Sequence, residues 1–271
     1  MRVVISGGVH GNELTGIYLV RKLRHDTPIT HNINLDFLLA NPKAIEACRR
    51  YIDKDLNRSF SAHALERDSH LYEEERAKVI AKRLEGCDFL IDLHSTTANM
   101  GITLVLSTQD KRSENLAKIL ASEFEDVRIL QWFGNEEGDF INSLVPSSVT
   151  IEVGPVCQGV LEPEIFWRTY KVLHRAIEAL DKDEWTTDSH LAYRIEGHED
   201  FPRKDGRLWG MIHPEFKGRD YGQLHSGDPI FLTLDEEEIF YQGDPCVPVF
   251  INEAAYYEKK IAFCKAKPVE I

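Results

Sequence analysis

The chain of 271 residues carries 32 Lys+Arg against 45 Asp+Glu, a formal charge of −13 with histidine neutral; 42 % of its residues are hydrophobic and 28 % charged. This is a globular composition, which excludes a disordered or fibrous chain, and an acidic surface repels phosphate backbones and anionic lipid, which weighs against nucleic-acid and membrane roles. No apolar run reaches the roughly 18 residues that a membrane helix needs. The N-terminus reads as a buried strand entering a turn rather than a signal peptide, and five scattered cysteines with no CxxC pair fit reduced thiols in a cytoplasmic protein.

Arg2–Ser6 (RVVIS) reads as a short strand, and Glu13–Leu23 follows as a helix with Leu14, Ile17, Tyr18 and Val20 near one face. Ile33–Leu39 is a second strand ending before Asn41-Pro42. Tyr72–Leu84 is an amphipathic helix whose acids come early and bases late, matching the helix dipole. Phe89–Leu93 and Thr103–Leu106 are further strands, Ser113–Phe124 a helix with Ser113 as its N-cap, Val149–Val153 a strand and Pro163–Leu180 a long helix. Apolar strands alternating with helices predict an α/β fold, a mostly parallel mixed sheet with helices on both faces. After Asp181–Ser189 the spacing changes to short runs such as Leu191–Ile195, Ile230–Leu234 and Val247–Ile251 between Gly, Pro and Asp. That is all-β spacing. The expected division is a catalytic domain over 1–184 and a smaller β domain over 185–271.

Four segments place reactive side chains near the ends of predicted strands, the edge where open α/β sheets bind ligands. In Gly7–Glu13 (GGVHGNE), His10 and Glu13 sit three apart between strand and helix. They form either a metal-ligand pair or a glycine turn in which Glu13 simply favours a helix N-terminus. His94 ends the apolar strand Phe89–Leu93, and with His10 and Glu13 it makes the two-His, one-Glu set of catalytic zinc hydrolases. Agreement of two segments on one ligand set favours the metal reading over a lone hydrogen-bonded histidine. Asp92 is placed to orient a ligand. Glu152 lies inside an apolar strand, where burial raises a carboxyl toward the range of a general base; a structural ion pair is the plainer alternative. Arg49–Arg58 (RRYIDKDLNR) gathers three arginines in an acidic protein, either an anion pocket or a solvated charged loop.

The ordered motifs GGVHGNE, RRYIDKDLNR, DLHSTTANMG, EVGPVCQGVL and NEAAYYEKK, with HPEFKGRDYGQLHSGDPIFLTLD between the last two, resemble the aspartoacylase/aminoacylase-3 family of zinc-carboxypeptidase-like amidohydrolases. The resemblance runs from residue 3 to about residue 263. It implies hydrolysis of N-acyl-L-amino acids to a carboxylate and a free amino acid, with N-acetyl-L-aspartate as the first substrate expected. It implies one Zn²⁺ on His10, Glu13 and His94, Glu152 as general base and proton shuttle, and Arg50 polarising the scissile carbonyl. It further implies Asn57, Arg58 and Tyr256 on the substrate α-carboxylate, Lys259 near a side-chain carboxylate, and a C-terminal domain that partly caps the cleft. A homo-oligomer is implied as well. One departure stands out. Family members that favour acetylaspartate carry an arginine ten residues before the catalytic glutamate; here that position is Asn142, within the acidic stretch Gly134–Val145. This resembles the aminoacylase-3 branch and leaves neutral or aromatic N-acetyl amino acids as the alternative substrates. A zinc carboxypeptidase would share fold and metal but need a cleft open to a peptide. A succinyl-amino-acid desuccinylase would differ only in its acyl group.

Overall fold

The computed structural model of the protein describes residues 1–133 and 140–271. Its backbone is one mixed sheet of nine strands covered by helices, with two small antiparallel sheets beyond one edge. In chain order the elements are β1 (Arg2–Gly7), α1 (Leu14–His25), β2 (Asn34–Leu39), α2 (Pro42–Ala47), α3 (Ala62–Glu66), α4 (Tyr72–Leu84), β3 (Phe89–Ser95), β4 (Gly101–Leu106), α5 (Lys111–Glu123), β5 (Val127–Gln131), β6 (Ser148–Gly154) and α6 (Pro163–Asp181). There follow β7 (Leu191–Glu199), β8 (Arg203–Lys204), β9 (Arg207–Leu208), β10 (Gly210–Ile212), β11 (Pro229–Thr233), β12 (Glu238–Phe240), β13 (Val247–Val249) and β14 (Phe263–Glu270). The sheet order is β13-β14-β7-β5-β4-β6-β3-β1-β2.

Side-chain alternation explains the layers. Val3 and Ile5 of β1 and Phe89 and Ile91 of β3 pack into one core with α1, α5 and α6, while Val4 and Leu90 point the other way into a core with α4. Strands buried on both faces read as continuous apolar runs, which is why they were legible. β4 pairs antiparallel with β6 and parallel with β5, so the mixed character enters at the centre of the sheet. The sheet does not stop at the helical part of the chain: β7 pairs with β5, and β14 and β13 extend that edge. The small sheets β8-β9 and β10-β11-β12 enclose a separate core around Phe201, Phe216, Phe231 and Phe263.

Several local expectations are corrected. The first helix begins at Leu14, and Glu13 makes no capping bond with its side chain. Helix α5 is capped by Asp110, whose carboxylate accepts from Ser113 N at 2.9 Å; Ser113 lies inside the helix, and its Oγ accepts from Ser148 N at 2.7 Å. Helix α4 has Glu73, Glu74 and Glu75 in its first turn and Lys82 and Arg83 in its last, as expected, and Glu73 and Glu74 are in addition fully buried. Glu73 accepts from the backbone N–H groups of Ile52, Asp53 and Lys54 and from Asn41 Nδ2, so one carboxylate fixes the loop that carries Arg50 and Asp55. Glu74 pairs with Lys54 and Arg67. A buried carboxylate is tolerated only when it is bonded this fully. The five cysteines are free thiols. Among the described residues no helix is long and apolar enough to cross a membrane.

Candidate active site

The turn after β1 carries His10. Gly8 adopts φ +73°, and a Cβ on Gly11 would lie 2.0 Å from the backbone carbon of Ala44 in α2. Only glycine permits both the left-handed turn and that approach. Gly11 N also donates to the Arg50 carbonyl, so the turn and the arginine loop are one unit.

Glu13 is the centre of the site. His10 Nδ1 stands 2.6 Å from its Oε1, and His94 Nδ1 stands 2.9 Å from its Oε2. The two rings cross at 66° with centroids 4.9 Å apart, and all three side chains are about 95 % buried. Each imidazole is gripped from behind by a carboxylate: His10 Nε2 lies 3.0 Å from Asp55 Oδ1 and His94 Nε2 2.7 Å from Asp92 Oδ2. This is the donor set a catalytic zinc takes, two imidazole nitrogens and a carboxylate oxygen within 4.8 Å of one another, with the far nitrogens held by acids that fix ring orientation. The residues present therefore fit a divalent metal.

The electrostatics follow from that crowding. Burial alone would raise the Glu13 carboxyl, but the charges and hydrogen bonds of His10 and His94 outweigh it and hold Glu13 well below the usual carboxylate range. Burial opposes a proton on His94, and Asp92 and Glu13 overcome it, raising the imidazole well above its ordinary value. Asp55 resists its burial through His10 and Arg50 and is held low. Arg50 spans both acids, Nη2 3.0 Å from Asp55 Oδ2 and Nη1 3.4 Å from Glu13 Oε1.

A cleft opens above this cluster, and His10, Glu13, Arg50, Asn57, Arg58 and His94 are among the residues that line it. Glu152 reaches in from β6 beside β3, where it pairs in register with His94. Burial pushes its carboxyl up to about 8; His94 pulls it down, and Glu13 and Glu253 push it further up. Asn57 Oδ1 accepts from Ile141 N at 3.0 Å, and the Arg58 guanidinium lies 4.7 Å over the Phe140 ring. Tyr256, in a short 3-10 turn over Ala254–Tyr256, lines the cleft with its phenol pushed well up by burial. Lys259 follows that turn, its ammonium 5.8 Å from the Tyr256 ring, and is not among the cleft-lining residues. Asn142 lines the cleft; residues 134–139 of the acidic stretch lie outside the described residues.

The C-terminal segment is locked onto the turn that follows β3 by Glu253, which the sequence reading did not single out. Its buried carboxylate accepts from Thr96 Oγ1, from Thr97 N at 2.7 Å, from Thr97 Oγ1 at 2.9 Å and from Ala255 N at 2.9 Å. Replacing Glu253 with alanine strands those donors, and we expect a loss of at least about 2 kcal/mol in urea unfolding. An unchanged midpoint would mean that the turn is held elsewhere. Asp55 was also missed inside the charge run, as were the aromatic walls Trp132, Phe140 and Phe250.

Residues 1–180 match the succinylglutamate desuccinylase/aspartoacylase catalytic domain, and residues 188–268 the AstE/AspA barrel-sandwich hybrid domain. The chain belongs to this desuccinylase/aspartoacylase family. A "probable aspartoacylase" of Trichodesmium erythraeum is 42 % identical over 100 % of this chain and 98 % of its own. The human N-acyl-aromatic-L-amino acid amidohydrolase (carboxylate-forming) is 36 % identical over 98 % of this chain and 90 % of its own. The crystal structure of murine aminoacylase 3 superposes with a TM-score of 0.93 at 33 % identity, covering 100 % of this chain and 96 % of that one. Within the family, these relatives make the chain an enzyme acting on N-acyl amino acids.

Proposed function

We propose that the protein is a zinc-dependent deacylase that hydrolyses N-acyl-L-amino acids to a carboxylate and the free amino acid. The observation that carries this reading is Glu13 held between two imidazoles in a cleft that also contains Glu152. His10, Glu13 and His94 would hold the metal. When bound, zinc supplies a Lewis acid that activates water at neutral pH and polarises the acyl carbonyl. Glu152 takes a proton from the attacking water and returns it to the leaving amine nitrogen, so that the C–N bond breaks to a neutral amine. Arg50, fixed by Asp55, places guanidinium N–H groups toward the developing oxyanion, a contact whose loss typically costs about 10²–10³ in kcat. Asn57 and Arg58 hold the α-carboxylate, with Tyr256 closing over them and Lys259 behind Tyr256.

On the amino-acid side chain two readings remain. The resemblance names N-acetyl-L-aspartate, and the similarity to the Trichodesmium protein supports it. The second, a neutral or aromatic side chain, is favoured by Trp132, Phe140, Phe250 and Tyr256 around the cleft. Amino-acid release by the zinc-loaded protein from N-acetyl-L-aspartate, N-acetyl-L-tyrosine and N-acetyl-L-leucine tests both; no release from any of them refutes the deacylase. In the same assay Arg58→Ala should raise KM about 10–100-fold, the scale of a lost charge-assisted pair. An unchanged KM removes Arg58 from the carboxylate pocket.

A further inference from the structure

Glu73 is a fully buried acid that the deacylase mechanism leaves without a task. It stands in the first turn of α4, away from the cleft-lining residues. Its Oε1 accepts from Ile52 N at 2.7 Å and Asn41 Nδ2 at 3.2 Å, and its Oε2 from Asp53 N at 3.0 Å and Lys54 N at 3.2 Å. Each oxygen thus faces two donors, a pattern that only a carboxylate meets; in a carboxamide the NH₂ group would confront two N–H groups.

The two elements tied together by Glu73 are those that meet at Glu13. On one side, Asn41 N donates to the Gly8 carbonyl at 3.0 Å, which links Glu73 to the turn that carries His10. On the other, Ile52–Lys54 lies between Arg50 and Asp55, whose side chains pair across it with Arg50 Nη2 3.0 Å from Asp55 Oδ2. Asp55 holds His10 Nε2 at 3.0 Å, and Arg50 Nη1 stands 3.4 Å from Glu13 Oε1. The tie is reciprocal, because the Asp53 carboxylate accepts from Tyr72 N at the start of α4 at 2.8 Å.

We propose that Glu73 is a positioning residue of the reaction: it seats the Arg50–Asp55 loop against the His10 turn, and through Arg50 it acts on the developing oxyanion. The inference rests on the deacylase reading above. Three consecutive amides pinned to one carboxylate leave the middle of the loop a single path, and the ion pair at its ends then leaves the guanidinium one place relative to Glu13. Without the pin, the Arg50–Asp55 pair survives but moves as a unit, and a misplacement of about 1 Å from a distant mutation can cost about 100-fold in rate. Asn57 is held separately, by Ile141 N, so substrate binding depends less on Glu73. Glu74 is the contrast. It is equally buried in the same turn, but it pairs with the side chains of Lys54 and Arg67 and leaves the loop backbone alone.

The test is a double-mutant cycle on the zinc-loaded full chain, using the best substrate among N-acetyl-L-aspartate, N-acetyl-L-tyrosine and N-acetyl-L-leucine. In the wild-type background Glu73→Gln should lower kcat about 10–100-fold with KM within a few-fold. In an Arg50→Ala background the same substitution should cost less than about threefold, because a residue that acts through Arg50 has nothing left to act on. Zinc affinity from chelator competition, which needs no substrate, should fall severalfold in Glu73→Gln through Asp55 and His10. Glu74→Gln should lower Tm and leave kcat within about threefold. Where Glu73→Gln does not fold, Asp53→Ala, on the exposed side of the tie, should lower kcat severalfold and lose that effect in Arg50→Ala. An unchanged kcat, equal losses in both backgrounds, or a loss no larger than that of Glu74→Gln makes Glu73 a structural acid and leaves the deacylase standing. No hydrolysis of any of the three substrates by wild type overturns the deacylase, and the positioning role falls with it.

Discussion

Glu152→Gln is expected to lower kcat about 10²–10⁴-fold, the usual contribution of a positioned general base, with KM within a few-fold and zinc content unchanged. Glutamine keeps the shape and polarity of the side chain but cannot take up a proton. The carboxyl is well placed to do so: burial pushes it up to about 8, and the nearby acids Glu13 and Glu253 hold it there against the pull of His94. A bound cation lowers that value, so the acid limb of the kcat/KM profile should fall below about 8. The sign is fixed by the role. A base is active when deprotonated, and activity rises with pH through its pKa; in Glu152→Gln the residual rate should lose that limb. A glutamine variant that turned over at near wild-type rate, with the limb intact, would make Glu152 a structural acid and require another base.

How far the sequence reaches into this site depends on how local each feature is. His10 and Glu13 are three residues apart, and a turn between strand and helix brings them together in any α/β fold, so spacing alone nominated them. Glu152 and His94 were visible as polar residues in apolar runs. Asp55 was not, because within RRYIDKDLNR it looks the same as Asp53. Only the fold separates them: Asp53 stays exposed and accepts from Tyr72 N, while Asp55 is buried between His10 and Arg50. Glu253 meets Thr96 across 157 positions of sequence, which no local pattern encodes. The reversal of β4 was invisible for a related reason. A strand buried on both faces has the same composition in either direction, and the direction of β4 is what sets Thr103 beside Glu152 and Val105 beside Thr150.

Glu13→Ala should abolish stoichiometric zinc binding, weakening affinity by more than about 100-fold, since even partners behind the ligands are worth about 10–100-fold. The geometry makes Glu13 the residue on which the cluster depends. Both imidazoles present Nδ1 to its two oxygens, and Arg50 Nη1 and Ser95 N also donate to it. Asp92→Asn keeps the His94 contact but weakens the grip on its ring, and about a 10–100-fold loss of affinity is expected there. Two readouts separate a metal site from a polar network, zinc per chain after dialysis and the zinc-dependent change in Tm. Free zinc at a hundred times Kd stabilises the native state by about 2.7 kcal/mol, which for a chain of this size raises Tm by roughly 5–10 °C. Wild type should show that rise, Asp92→Asn should need more zinc to reach it, and Glu13→Ala should show none. A metal-independent network predicts the opposite pattern: no rise in wild type, and in Glu13→Ala only the loss of stability that comes from leaving His10, His94 and Arg50 without their shared acid.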